Sequence, residues 1–268
     1  MSGPKVRLER APGEPRVARI VLNRPEVRNA WDGEVVTLLQ RALRDLGKDE
    51  TVHVVELASE GPAFCAGADL EWMKRVANFT MEENRRDSAE LAQLFKALDE
   101  LEKPVVARVQ GAALGGGTGL VAACDVVVAA DGAIFGTTEV RLGIIPAVIA
   151  PYVIRKIGES HARHWFLTGE RVGAEEARRV GLVHHVVPEK DLAKATAAVI
   201  DAILLGGPAA VVEAKHLVRA VSTMTPREGT AWAVQRMAER RGSAEGLEGL
   251  RAFLEKRPAA WTGKPKSS

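Results

Sequence analysis

The stretch Gly111-Ala112-Ala113-Leu114-Gly115-Gly116-Gly117 joins a predicted strand at residues 105–109 to a predicted buried helix at residues 115–123. A second run of small residues, Phe64-Cys65-Ala66-Gly67-Ala68-Asp69, also leads into a helix. Small residues leave backbone N–H groups open to a ligand. The first N–H groups of a helix have no internal partner and carry partial positive charge. Two such amides on one carbonyl oxygen would stabilise the negative charge of an enolate.

The composition is that of an ordinary globular protein. The chain has 268 residues, of which 46% are hydrophobic and 27% charged, and it can form one large domain or a domain with an appendage. It carries 37 lysines and arginines against 35 aspartates and glutamates, for a net charge of +2. So small an excess of positive charge gives no reason to expect a nucleic-acid surface, and we predict no nucleic-acid partner.

Nothing in the sequence indicates export, a membrane span or a metal site. Residues 1–7 lack the apolar core of a secretory signal. The longest apolar stretch, at residues 120–130, contains Asp125 and is too short to span a bilayer. Cys65 and Cys124 lie in apolar surroundings without metal-ligand spacing, and the histidines complete no zinc pattern. We therefore expect a cytoplasmic protein with free thiols, no membrane partner and no metal.

The periodicity of apolar residues divides the chain into an α/β part and a helical part. Apolar runs typical of strands alternate with helical spacing as far as Pro188, and four helices are predicted beyond it. We place an α/β core in residues 1–200 and a C-terminal helical region in residues 201–268. Within that region, residues 261–268 are expected to form a loose tail.

Taken together, the motifs resemble the enoyl-CoA hydratase/isomerase family, also called the crotonase superfamily. The resemblance covers nearly the whole chain and rests on the order and spacing of segments 22–30, 64–70, 111–119, 123–125, 135–146, 167–169 and 253–257. It implies a crotonase-like spiral of ββα units that holds the acyl-CoA site. It also implies that the C-terminal helices assemble trimers, often paired as hexamers, so we predict a homotrimer or homohexamer.

The resemblance also implies the catalytic groups. Family members bind acyl-CoA and polarise its thioester carbonyl with two backbone N–H groups, which fall on Ala66 and Gly116 in this sequence. The second of the two glutamates used by the family's hydratases falls on Glu139. A carboxylate there can exchange a proton with the carbon beside the thioester, and partial burial would raise its pKa toward the working pH.

The first glutamate of the hydratase pattern is missing, because Gly119 stands at its position. Four interpretations stay open. Glu139 performs both proton transfers of a hydration, or a substrate carboxylate helps to place the water. Alternatively, no water is added and Glu139 moves a proton along the acyl chain, as in the family's 3-enoyl-CoA to 2-enoyl-CoA isomerases. The last interpretation is a homologue that binds acyl-CoA without turning it over.

Two segments resemble the branch of the family that contains bacterial 3-methylglutaconyl-CoA hydratases. One is residues 117–125, and the other is residues 143–153, which lack the glycine-rich continuation common in straight-chain hydratases. We therefore expect a lyase that reversibly hydrates a branched, carboxylated 2-enoyl-CoA, as in leucine degradation. A cation near the distal carboxylate would favour such a substrate, and the candidates are Arg141, Lys74 and Arg75.

Coenzyme A enters as part of the substrate, so no separate cofactor is expected. The resemblance implies that it contacts the loop Ala66-Gly67-Ala68-Asp69-Leu70 and three residues outside that loop, namely Arg28, Phe253 and Lys256. Phe253 would cover the adenine and Lys256 would pair with a phosphate. Both would come from the C-terminal helix, that of a neighbouring subunit if the chains assemble.

Overall fold

A six-stranded sheet is the main layer of the protein, whose computed structural model describes residues 3–263. In spatial order its strands are β1 (Val6–Ala11), β2 (Glu14–Leu22), β3 (Val54–Ser59), β4 (Val105–Val109), β6 (Val126–Ala130) and β9 (His185–Val187). β1 runs antiparallel to β2, and all other neighbouring strands are parallel. The parallel strands β3, β4 and β6 are rich in valine and alanine because both of their faces are covered.

A smaller sheet contains β5 (Ala112–Leu114), β7 (Ile134–Gly136) and β8 (Val172–Gly173). Successive strands alternate between the sheets: β4 lies in the large sheet and β5 in the small one, and β6 and β7 repeat this order. A helix follows each pair of strands, namely α4 (Gly116–Ala123) and, after a 3-10 turn, α5 (Ala150–Thr168). This repeat of two strands and a helix confirms the predicted α/β, crotonase-like spiral.

Helices close the core over one face of the large sheet. In addition to α4 and α5, they are α1 (Gly33–Lys48), α3 (Met81–Asp99) and α6 (Ala174–Arg179), whereas the short helix α2 (Leu70–Val76) buries no residue. Helix α3 packs between α1 and α4, and α4 packs against α5. The fully buried side chains at these contacts include Phe95, Leu120 and Ile149. Cys65 and Cys124 are free and buried.

Helix α7 (Leu192–Leu204) covers part of the opposite face of the large sheet. Its buried residues Ile200 and Leu204 belong to an apolar cluster with Val54 and Val106. The predicted boundary between residues 200 and 201 therefore falls inside a helix of the core. The break lies at Leu205-Gly206-Gly207, after which the chain leaves the sheet.

The last three helices form an arm with little core of its own. They are α8 (Pro208–Val221), α9 (Pro226–Gly242) and α10 (Ala244–Leu254), and the only residues they bury are Gly229 and Ala252. Large apolar side chains along the arm are exposed, namely Leu217, Val218, Val221, Val234, Met237, Leu247, Leu250, Phe253 and Leu254. Exposed apolar surface of this extent is typical of an interface, and the homotrimer or homohexamer stays a prediction.

The start of the predicted loose tail is docked onto the core. The Trp261 indole N–H donates to the Leu205 carbonyl at 3.1 Å, and the Trp261 carbonyl accepts from Arg16 at 2.7 Å. The rest of that predicted tail, residues 264–268, lies outside the described residues. In the described part, no single helix is long and apolar enough to cross a membrane. Residues 189–204 and 208–221 together have the length and composition of a membrane span, but the two helices are bent by 102° relative to each other.

Candidate active site

The two runs of small residues lie side by side in the structure. Cys65 pairs with Ala113 as an isolated parallel bridge, with its N–H donating to the Ala112 carbonyl at 2.9 Å. The Leu114 N–H in turn donates to the Cys65 carbonyl at 2.9 Å. Because these two hydrogen bonds hold the loop before α2 against β5, the N-terminus of α2 lies next to that of α4.

Gly116 supplies the first candidate oxyanion donor. It occupies the first position of α4, where an N–H has no acceptor inside the helix. In the described part of the chain this amide donates to no other residue. Gly116 is partly exposed, whereas Gly117–Ala123 are buried. The Gly116 amide is therefore both unpaired and accessible.

The predicted role of the Ala66 amide is contradicted by a hydrogen bond. The Ala66 N–H donates to the Arg28 carbonyl at 3.0 Å, so it is already used in holding the loop. Ala68, two residues later, is partly exposed, and its N–H has no acceptor within residues 3–263. Its neighbours make the bonds instead: Trp31 N–H donates to the Gly67 carbonyl, and Asp69 N–H donates to the Trp31 carbonyl. Ala68 therefore offers a partly exposed amide that has no acceptor among the described residues.

Close packing explains why the second run is built from glycine. A side chain on Gly116 would collide with the buried Trp31 indole, and one on Gly117 would collide with the Cys65 carbonyl. Gly115 has a φ of +53°, a conformation that glycine adopts without strain. The Thr118 hydroxyl, 2.7 Å from the Ala113 carbonyl, also accepts from the Gly136 N–H at 3.1 Å. Any side chain at 116 or 117 would push the two loops apart.

Glu139 lies at the start of a 3-10 helix (Glu139–Leu142) directly after the small sheet. It is half-buried, and its Oε2 atom is buried with no hydrogen-bond partner among the described residues. Burial raises the pKa of its carboxyl group, opposed only in part by its own backbone N–H. Its Oε1 atom lies 3.2 Å from the place where a Gly115 side chain would begin. A desolvated carboxyl group with one unpaired oxygen is a candidate for proton exchange with a ligand.

Hydrocarbon fills the space beside Gly119. A methyl group on Gly119 would overlap Ile149 Cγ2 and would lie 2.9 Å from both Ile149 Cβ and Phe95 Cε1. Ile149 and Phe95 are 1% and 0% exposed. The Phe95 ring packs edge-on against Trp31, with 5.7 Å between the ring centroids. The centroid of the Tyr152 ring lies 5.8 Å from that of Phe95. A side chain at 119 would therefore have to displace these residues.

The three candidate cations lie in different surroundings. Arg141 folds over Gly169, with its guanidinium 3.5 Å from the Thr168 carbonyl. Lys74 is exposed and pairs with Glu71 at 2.6 Å. Arg75 is also exposed and lines an open pocket between α2 and the start of α3. No described contact joins any of them to Glu139, so the structure does not select one of them.

The residues expected to bind coenzyme A form two groups: one is Arg28 with the loop at residues 66–70, and the other is Phe253 with Lys256 on the arm. Arg28 is exposed and touches the loop through its carbonyl, and Leu70 is 74% exposed at the first position of α2. Asp69 is only 8% exposed. Its carboxylate accepts from the N–H groups at the start of α2 and pairs with Arg24 at 3.0 Å. The Asp69 side chain therefore has a structural role, and contact of this loop with coenzyme A stays a prediction.

Phe253 and Lys256 lie on the arm, away from the loops. Phe253 is 82% exposed near the end of α10, and Lys256 is exposed just beyond that helix with a φ of +53°. Helix α10 packs against α8 and α9. Among residues 3–263, no contact brings either side chain to Glu139 or Ala68, so their role depends on a neighbouring subunit and stays a prediction.

Trp31 is a site residue that the sequence analysis missed. Its backbone holds the loop at Gly67 and Asp69, and its ring sets the close approach at Gly116. Trp31 follows the family segment 22–30 directly, but a lone tryptophan before a helix cap carries no periodic signal. The contact becomes visible only when the loop and α4 are brought together.

The site combines unpaired amides at Ala68 and Gly116 with a half-buried glutamate, Glu139, whose pKa is raised by burial. Comparison with known proteins identifies the protein family. A family model described as enoyl-CoA hydratase/isomerase matches residues 13–264, and the chain belongs to this family.

Individual relatives agree with the family model. A crystal structure of an enoyl-CoA hydratase from Shewanella pealeana superposes with a TM-score of 0.91 at 36% identity, covering 96% of each chain. The 2,3-dehydroadipyl-CoA hydratase of Escherichia coli is 32% identical over 251 residues, which is 93% of this chain and 96% of that protein. The crotonyl-CoA hydratase of Syntrophomonas wolfei is 32% identical over 261 residues, 94% and 96% of the two chains.

Proposed function

We propose that the protein reversibly adds water to a branched, carboxylated 2-enoyl-CoA such as 3-methylglutaconyl-CoA. The observation that carries this proposal is the buried Oε2 atom of Glu139, which has no hydrogen-bond partner among the described residues, in a fold that places two unpaired amides on neighbouring loops. This oxygen is free to exchange a proton with a substrate. The amides supply the charge stabilisation that such an exchange requires.

The amides of Ala68 and Gly116 would bind the thioester oxygen. When water adds to the double bond, its electron pair moves onto this oxygen and produces an enolate. Two N–H donors held by a rigid backbone stabilise that charge without rearranging during the reaction. Removing one donor of this kind typically costs about 10²–10³ in kcat. Backbone donors also explain why the loops are built from small residues.

Glu139 would carry both proton transfers. Its carboxylate takes a proton from water while the water oxygen bonds to C3 of the enoyl group. The resulting carboxylic acid then gives that proton to C2 of the enolate, which restores the carboxylate and completes the hydration. The raised pKa of Glu139 suits both steps, because a group that must accept and then donate works best with a pKa near the working pH.

Support for a carboxylated acyl group comes from relatives and from surface charge. The substrate named for the Escherichia coli relative, 2,3-dehydroadipyl-CoA, carries a distal carboxylate, whereas crotonyl-CoA, named for the Syntrophomonas relative, does not. Among the candidate cations, Lys74 pairs with Glu71 and the Arg141 guanidinium donates to the Thr168 carbonyl at 3.5 Å, whereas the Arg75 side chain has no hydrogen bond or ion pair with any described residue. We propose Arg75 as the first candidate to bind the distal carboxylate.

Isomerisation of a 3-enoyl-CoA is the second candidate function. It is favoured by the filled space beside Gly119, because a reaction without water needs no second group to hold one. Glu139 would then take a proton from C2 and return it to C4 of the same acyl chain. Silent binding of acyl-CoA is a third candidate, in which no thioester would be turned over.

The Glu139→Gln variant tests the proposal. With 3-methylglutaconyl-CoA, loss of the conjugated thioester absorbance and uptake of ¹⁸O from labelled water should be rapid for the wild type. For the variant they should be at least about 100-fold slower. Binding of acyl-CoA should change little. Normal turnover by the variant would refute the mechanism, and conversion of a 3-enoyl-CoA without ¹⁸O uptake would select the isomerase.

A further inference from the structure

Two departures of this sequence from the straight-chain hydratase pattern meet at one point in the structure. One is Gly119, where a glutamate is expected, and the other is the segment 143–153, which lacks the expected glycines. They lie on different elements: Gly119 is inside α4, and Ile149 immediately precedes α5. The two helices pack against each other. The side chain of Ile149 reaches the space that a side chain on Gly119 would occupy.

Ile149 and Phe95 pack closely around Gly119. The Ile149 Cγ2 atom overlaps the position of a methyl group on Gly119, and Phe95 Cε1 stands 2.9 Å from the same position. Phe95 cannot retreat easily, because its ring is wholly buried between Trp31 and Tyr152. Close-packed interiors tolerate extra atoms poorly. Position 119 can therefore gain a side chain only if Ile149 becomes smaller.

We infer that Gly119 and Ile149 act as one coupled pair, in which Ile149 takes the place of a second acid–base group and confines proton transfer to Glu139. This inference rests on the proposed function. Ile149 acts through position 119 and not on the substrate, so it is a positioning residue that determines which side chain can stand at 119. A side chain at 119 requires a smaller residue at 149.

The coupling is measurable from stability, without any assay of activity. Gly119→Ala should lower the melting temperature by several degrees, because the added methyl group overlaps Ile149. In an Ile149→Gly background, the same change should cost less than half as much, because the overlap with Ile149 is removed while the contact with Phe95 Cε1 at 2.9 Å stays. A double-mutant cycle reports this difference directly. An equal cost of Gly119→Ala in both backgrounds would overturn the coupling.

Activity tests what the coupled pair does. The double variant Gly119→Glu/Ile149→Gly should hydrate crotonyl-CoA at least about 10-fold faster than the matched variant Gly119→Gln/Ile149→Gly, which differs only in charge. Its pH profile for kcat/KM should also show a second ionisation, which a merely structural change would not produce. Gly119→Glu alone should gain nothing. Equal rates and equal profiles for the two double variants would overturn the acid–base part of the inference.

The tests separate this inference from the proposed function. If the wild type turns over no enoyl-CoA, or if Glu139→Gln is fully active, the proposed function fails, while the melting temperatures still measure the coupling. If the wild type hydrates its substrate and Glu139→Gln is inactive, but the stability cycle is additive, the function stands and the coupled pair is rejected.

Discussion

Glu139 and Gly115 face each other at the start of α4. A methyl group on Gly115 would lie 3.2 Å from Glu139 Oε1 and 3.7 Å from its carboxyl carbon. Gly115 is held by its N–H, which donates to the Gly136 carbonyl at 2.8 Å, and by its position as the N-terminal cap of α4. The glycine thus leaves room for the carboxylate beside the loop that carries the Gly116 amide.

Gly115→Ala should lower kcat/KM by about 10- to 100-fold, because displacing a catalytic group by about 1 Å has an effect of that size. The new methyl group presses on the carboxylate, and the φ of +53° adds backbone strain. Gly13→Ala is the matched control: its φ is +75°, but no atom lies within 4 Å. Similar losses of activity in both variants would show that strain alone, and not contact with Glu139, is responsible.

Glu139→Gln should stabilise the protein at neutral pH. Burial raises the pKa of Glu139, so the folded state favours the protonated form. The stability that this preference contributes is present below the carboxyl's ordinary pKa and is lost as the pH rises through the raised value. A glutamine side chain does not ionise, so the variant does not lose stability in this way as the pH rises. The melting temperature of the variant should therefore exceed that of the wild type at pH 7–8, and the difference should shrink toward pH 4.

The same raised pKa predicts the acid side of the activity profile. Because the carboxylate must accept a proton from water, kcat/KM for hydration should fall as the pH drops through the pKa of Glu139. The midpoint should lie above the ordinary value for a glutamate. A midpoint at or below the ordinary value would contradict the desolvation of this group. Stability should be monitored across the same range, so that unfolding is not mistaken for protonation.

Asp69→Ala should destabilise the protein without weakening acyl-CoA binding directly. Its carboxylate caps α2 and pairs with Arg24, and loss of a cap costs about 1 kcal/mol. The pKa of Asp69 is lowered because hydrogen bonds from α2 and from Arg24 outweigh its desolvation. This contribution is present at neutral pH and is lost as the pH falls through the lowered pKa. Urea unfolding at pH 7 measures the change.

The control for Asp69 is Glu71→Ala, a change of an exposed acid on the same helix that pairs only with the exposed Lys74. It should alter the free energy of unfolding by less than about 0.5 kcal/mol. A variant of Asp69 that keeps full stability but binds acyl-CoA poorly would restore its predicted role in binding.

Lys256→Ala should raise KM for acyl-CoA several-fold while kcat changes little, if the arm of a neighbouring subunit completes the site. The effect should disappear with an enoyl-pantetheine thioester, which lacks the phosphates that Lys256 is predicted to contact. Arg251→Ala, a cation removed from an exposed position on the same arm, is the control. An equal rise in KM with both thioesters would exclude the phosphate contact.

Much of the fold was predictable because local rules agree with it. Apolar runs of strand length mark β3, β4 and β6, and glycines between β5 and α4 mark the tight turn. Glu139 is predicted as the proton-transferring group because it lies in a run whose neighbours match the family in order and spacing, and that role stays a prediction. The start of the tail was misjudged, because Trp261 is held by contacts with Arg16 and Leu205, which are distant in sequence.

The amino-acid sequence by itself determined the α/β core, the C-terminal helices and the two loops rich in glycine and alanine, and it predicts a site with one glutamate. Only the tertiary structure decided which amide is free, because the Ala66 N–H is used by the Arg28 carbonyl, far from it in the chain. Likewise, the sequence shows at Gly119 only that the first carboxylate of the hydratase pattern is missing. That Ile149 fills the space is a matter of packing between α4 and α5, and packing depends on atoms that the chain brings together only when folded.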